Sequence, residues 1–133
     1  MPHAIIEYSA NLEDKLDLDG LIDQIHQACI ATGVFPLTGM RTRGARRDNY
    51  KIADGNQDAC FIHLQLKIGP GRPEDTKKKA MEDIFTTLTN YVKPVFDRSP
   101  VALSIEVFEL PPVLRINKHN LADYVNVDAD AAE

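Results

Sequence analysis

The chain has 133 residues, with 20 acidic against 15 basic side chains and a formal net charge of −5. That length suits one domain able to bury roughly two thirds of its unfolded surface without staples, and the acidic balance argues against a general nucleic-acid binder. Cys29 and Cys60 sit in apolar runs without metal-ligand spacing, no apolar stretch approaches the ~20 residues of a membrane span, and no charged leader precedes an apolar segment, so a reducing cytoplasm is the expected setting rather than export, a disulfide scaffold or a zinc site.

Pro2 to Tyr8 is rich in isoleucine and alternates, with His3, Ile5 and Glu7 on one face and Ala4, Ile6 and Tyr8 on the other, which predicts a first strand. Loss of Met1 would leave the Pro2 nitrogen as a free secondary amine. An α-amino group has an unperturbed pKa of roughly 7.7 to 8.0, so modest burial or a nearby cation brings it into the range useful for proton transfer. The plainer reading is that proline is simply tolerated at the first residue of a strand. After a polar connection through Ser9, Asn11 and Glu13, Asp17 offers an N-cap, and Leu18, Leu21, Ile22, Ile25 and Cys29 fall at helical spacing. A first helix from about Leu18 to Thr32 follows, closed by Gly33 and kept from continuing by Pro36.

Gly39 to Tyr50 is the most basic segment. If it is extended, Arg41, Arg43 and Arg47 share a face with Ala45 while Arg46 points the other way. Such a cluster is either a solvated basic edge that discourages strand pairing or a set of anion contacts. A turn at Asp54-Gly55-Asn56-Gln57-Asp58 separates it from the strictly alternating run Phe61 to Ile68, a third strand with Ile62, Leu64, Leu66 and Ile68 on one face. Gly69-Pro70-Gly71-Arg72-Pro73 breaks that strand. Pro73 suits the first position of a second helix with Glu74 and Asp75 in its first turn, a stripe of Ala80, Met81, Ile84, Phe85, Leu88 and Val92, and an end near Pro94. Val101 to Phe108 is the fourth strand, stopped by Pro111-Pro112. Val113 to Val127 alternates and is expected to add a strand or reach onto a neighbour, with a frayed end over 128–133.

The order predicts an α+β domain spanning 1–133, made of two tandem βαβ units at about 2–54 and 60–110 and an extension at 113–133. Both helices are expected on one face of a four-stranded sheet. The other face is expected to expose isoleucines and leucines and to be buried by other subunits. His3, His26, His63 and His119 are scattered and predict no metal site, His26 being a packing or rim residue of the first helix.

Three stretches together carry a resemblance: Pro2-His3-Ala4-Ile5-Ile6-Glu7-Tyr8-Ser9, Ala31-Thr32-Gly33-Val34-Phe35-Pro36-Leu37, and Gly69-Pro70-Gly71-Arg72. The chain up to about Asn120 resembles the 5-carboxymethyl-2-hydroxymuconate isomerases of the tautomerase superfamily. The resemblance implies a cofactor-free, cytoplasmic isomerase of homoprotocatechuate (4-hydroxyphenylacetate) catabolism, assembled as a homotrimer, with no nucleic-acid or membrane partner. It further implies that Pro2 is the general base, taking the proton of the 2-hydroxyl and returning one to C5. Arg41 would lie near that hydroxyl and its adjacent carboxylate, Arg72 would bind a substrate carboxylate, and Arg43 would be a third contact. The second unit begins at an internal Cys60-Phe61 and has no equivalent of Pro2, so one site per chain is expected. A tautomerase for another unsaturated 2-hydroxy or 2-keto acid and a non-catalytic ligand-binding α/β module remain as alternatives. A single-strand nucleic-acid binder would want stacking aromatics on the central strands, where only Phe61 stands.

Overall fold

A computed structural model describes residues 2–125. Its elements run β1 (His3–Ser9), a 3-10 turn (Ala10–Asp14), α1 (Leu18–Ala31), β2 (Arg41–Arg47), β3 (Cys60–Ile68), α2 (Glu74–Phe96) and β4 (Val101–Glu109), followed by a short 3-10 turn (Leu121–Asp123). The four strands form one sheet in the order β2-β1-β3-β4. Each crossover pairs its own strands in parallel, β1 with β2 and β3 with β4, and the two units meet through antiparallel β1 and β3. This is the two-helix, four-stranded α+β arrangement expected from the pattern.

Alternation decides which face is covered. Ala4, Ile6 and Tyr8 of β1 and Cys60, Ile62, Leu64, Leu66 and Ile68 of β3 are all buried, and they form one core with Leu21, Ile25 and Cys29 of α1 and Ile84, Leu88 and Val92 of α2. Asp17 caps α1 by accepting from the Gly20 amide at 3.2 Å. Gly33 follows with φ +74, the left-handed conformation that ends a helix most cheaply in glycine. The Tyr91 hydroxyl of α2 donates to the Asp17 carbonyl at 2.9 Å, and a Cβ at Gly20 would displace that hydroxyl and the Asp17 carboxylate.

The structure corrects several expectations. The open face carries no leucine stripe. Its positions are His3, Ile5 and Glu7 on β1, Phe61, His63, Gln65 and Lys67 on β3, and Ser104, Glu106 and Phe108 on β4, because one alternating apolar set serves only one face and both helices lie on it. Pro73 is the N-cap of α2 rather than its first residue, and the helix runs past Pro94 to Phe96. A proline in the last turn forfeits one amide donor, while Val95, 1% exposed, packs into the core and keeps that turn wound. The polar connection after β1 is a 3-10 turn that buries Leu12 completely. Among the described residues the tail from Val113 forms no strand; the part beyond Val125 lies outside them.

Candidate active site

Strand register builds the site. Residues opposite one another in a sheet project to the same side, so His3 stands on the open face between Arg41 of β2 and Lys67 of β3, with Ile5 between Arg43 and Gln65 in the next row. Continuing both ladders by one residue sets Pro2 between Met40 and Ile68, and all three are buried.

The His3 ring touches both arginines that the register brings to it. Arg41 Nη2 lies 3.1 Å from Nε2 and Arg43 Nη1 lies 3.2 Å from Nδ1. Burial first, then the Arg41 and Arg43 guanidiniums, push the imidazole down from 6.5 to about 4, so at neutral pH it is uncharged. The basic cluster is thereby split. Arg47 Nε donates to Glu7 Oε2 at 2.7 Å, and Arg46, on the helix side, donates to Glu13 Oε2 at 2.7 Å and to Asp48 Oδ1 at 2.8 Å. Arg41 and Arg43 have no carboxylate partner among the described residues.

Arg72 comes from the turn that follows Ile68, and so from the same end of the sheet as Pro2. Gly71 in that turn has φ +107, which a side chain would strain. Arg72 is half-buried and takes part in no ion pair among the described residues. The segment after β4 closes on this turn: the Leu110 amide donates to the Ile68 carbonyl at 2.7 Å, and a methyl group at Gly69 would lie 3.4 Å from Arg115 Nη1. Of the residues expected in the site, Arg41 and Arg43 share the open face with His3, the strand alternation turns Pro2 to the covered face beside Met40 and Ile68, and Arg72 comes from the β3–α2 turn at the same end of the sheet.

Two further residues at this end were not singled out from the sequence. His3 is adjacent to Pro2, yet only the register reveals two arginines opposite its ring. Arg115 lies in the alternating tail, and nothing local points it at Gly69. The remaining histidines are engaged elsewhere: His26 Nδ1 meets Thr42 Oγ1 at 2.7 Å, joining α1 to β2, His63 bridges Ser104 and Glu106, and His119 Nδ1 accepts from the Leu121 amide at 3.3 Å. A groove of about 560 Å³ between α2 and β4, lined by Glu74, Lys77, Met81, Val107 and Glu109, does not include Pro2 or the strand arginines, and Lys77 is already paired with Glu109 at 2.7 Å.

Comparison with known proteins adds a family. The model of the family described as 5-carboxymethyl-2-hydroxymuconate isomerase matches residues 2–125. A 5-carboxymethyl-2-hydroxymuconate Delta-isomerase of Escherichia coli is 36% identical over 121 residues, covering 91% of this chain and 96% of its own. A crystal structure of a 5-carboxymethyl-2-hydroxymuconate delta-isomerase superposes with a TM-score of 0.86 at 28% identity, over 92% of this chain and 91% of that one. At 11% identity, where likeness concerns the fold alone, a fused 4-OT wild type symmetric trimer aligns with a TM-score of 0.55 over 80% of this chain and 85% of its own.

Proposed function

The chain belongs to the 5-carboxymethyl-2-hydroxymuconate isomerase family, and from that premise we propose that it converts 5-carboxymethyl-2-hydroxymuconate to its keto isomer, with the Pro2 nitrogen as general base. The observation that supports the reading is that β1, which begins one residue after Pro2, pairs His3 with Arg41 and Ile5 with Arg43, two cations with no carboxylate partner among the described residues. A substrate bearing several carboxylates needs such cations, and a charge-assisted hydrogen bond from a guanidinium is worth about 1.5 to 3 kcal/mol.

In this mechanism Met1 is removed and Pro2 holds a free secondary amine. The amine takes the proton of the 2-hydroxyl. The O–H electron pair becomes the C2 carbonyl, the diene electrons shift along the chain, and C5 takes a proton back from the prolinium. Arg41 stabilises the negative charge that develops on the oxygen, which is worth most when the donor is already in place. Arg72 and Arg43 hold the carboxylates. Cations near the amine and its removal from water would both disfavour the prolinium and favour the free base that the reaction needs. The pathway implied is homoprotocatechuate degradation in the cytoplasm, in keeping with two buried free thiols.

The working unit is a homotrimer. Val113, Leu114 and Ile116 are 83%, 87% and 98% exposed in the single chain, which is costly for aliphatic side chains unless a neighbouring copy covers them, and closed symmetry limits such contacts to a ring.

The test compares protein shown by intact mass to have lost Met1 with protein that retains it, in an ultraviolet assay on 5-carboxymethyl-2-hydroxymuconate. The trimmed form should turn over and the retained form should be inert though folded. Full activity with Met1 in place removes Pro2 from the mechanism. A trimmed protein that ketonises a different 2-hydroxydienoate instead moves the substrate assignment to that acid.

A further inference from the structure

His3 is set against two donors that it cannot both satisfy. A neutral imidazole has one acceptor nitrogen and one N–H, whereas the guanidinium nitrogens of Arg41 and Arg43 lie within 3.1 and 3.2 Å of its two ring nitrogens. One arginine receives a hydrogen bond partner. The other meets an N–H and has no carboxylate among the described residues to turn to. Protonation offers no relief, since an imidazolium would face Arg41, Arg43 and Lys67 with no acceptor at all, and the ring resists it down to about pH 4.

The two arginines stand at alternate positions of one strand, about 7 Å apart along it, so both project from the open face with His3 between them. We propose that His3 is a positioning residue of the site: its single acceptor nitrogen holds one strand arginine in place and leaves the other, uncompensated, to take a carboxylate of the substrate at the Pro2 end of the sheet. The inference deepens the function proposed above and rests on it for the identity of the substrate, but not for the anion contact itself. It explains why a histidine, and not an acid, sits at this place. A carboxylate in its stead would pair with the guanidiniums and compete with the substrate for them, whereas an apolar side chain would leave both without a fixed orientation.

Three full-length, trimmed proteins test it: the wild type, His3→Phe, which keeps a ring but has no acceptor, and His3→Gln, which keeps an amide oxygen. Each is checked for folding by its melting temperature. Binding of trans,trans-muconate, a dicarboxylate without the reactive hydroxyl, is measured by calorimetry, and turnover by the ultraviolet assay. His3→Phe should weaken muconate binding about tenfold and lower kcat/KM by a similar factor, while His3→Gln should stay within about threefold of the wild type in both. With Arg41 and Arg43 both replaced by alanine, His3→Phe should make no further difference beyond about twofold, because its effect passes through those side chains. Wild-type and His3→Phe proteins that bind muconate equally overturn the inference, as does an equal further loss without the arginines. A wild type that binds muconate in a His3-dependent way yet leaves the hydroxymuconate unchanged keeps the inference and overturns the assigned reaction.

Discussion

Two histidines lie on the open face of the sheet in matching places, and their surroundings are opposite. His63 of β3 meets Ser104 directly across on β4 and Glu106 two residues on, at 2.6 and 2.7 Å, so its two nitrogens have a hydroxyl and a carboxylate to work with. His3 of β1 meets Arg41 directly across on β2 and Arg43 two residues on, at 3.1 and 3.2 Å. Residue type, face and crossover are the same, and only the neighbouring edge strand differs. One arrangement is complete in itself. The other holds excess positive charge beside the strand that follows directly on Pro2. The comparison teaches that a histidine's role in this fold is written in the parallel strand next to it.

The largest effect is expected from erasing that difference. Arg41→Ser together with Arg43→Glu gives His3 the partners that His63 has. The His3 pKa, followed by NMR titration, should then rise well above about 4, because the nearest charge has changed sign. In the same protein kcat/KM should fall more than about a hundredfold, roughly 2.7 kcal/mol of transition-state stabilisation. Activity within tenfold of the wild type would mean that the first edge strand matters no more than the second.

Arg72→Ala sharpens the comparison from outside the ladder. Its guanidinium reaches the same end of the sheet from the β3–α2 turn and meets neither histidine, so its loss should raise KM about tenfold with kcat little changed, the signature of a contact made equally before and during the chemical step. A fall in kcat without a rise in KM would place it with Arg41 instead.

The smallest effect concerns stability. His3 titrates near 6.5 when unfolded and near 4 in the folded chain, so between those values the unfolded chain binds more protons. The His3 contribution is therefore complete above about pH 6.5 and is lost as pH falls through about 4. Burial sets this first, then the charges of Arg41 and Arg43 from β2, the amino terminus and Lys67 from β3. Urea midpoints should fall over this range in the wild type, and less steeply in His3→Gln. Identical slopes would show that the imidazole charges on folding as readily as it does unfolded.

Much of the architecture was legible before any coordinates. Asp17 at the start of α1, Gly33 after its end, and the break at Gly69 to Pro73 mark boundaries through local chemistry, and the isoleucine and leucine alternation marks strands. The residues Pro2, Arg41, Arg43 and Arg72 could be named on the strength of resemblance. What was misread is equally specific. The exposed apolar stripe assigned to the open sheet face does not exist there, because strand periodicity says which residues share a side but not on which side the helices settle. The exposed aliphatic side chains belong instead to the tail, at Val113, Leu114 and Ile116.

By itself, then, the sequence determined the elements, their order and the cost of placing them otherwise, since capping, turn conformation and amphipathic period act within a few residues. The tertiary structure decided the pairing: that β1 lies between β2 and β3, that His3 falls opposite Arg41 while His63 falls opposite Ser104, and that Arg115 folds back to Gly69. Those contacts join residues about forty positions apart, and a shift of register by one residue would turn every one of them to the opposite face. Only the packing of one apolar face against two helices selects the register, so the charge pattern around the site exists only once the core has formed.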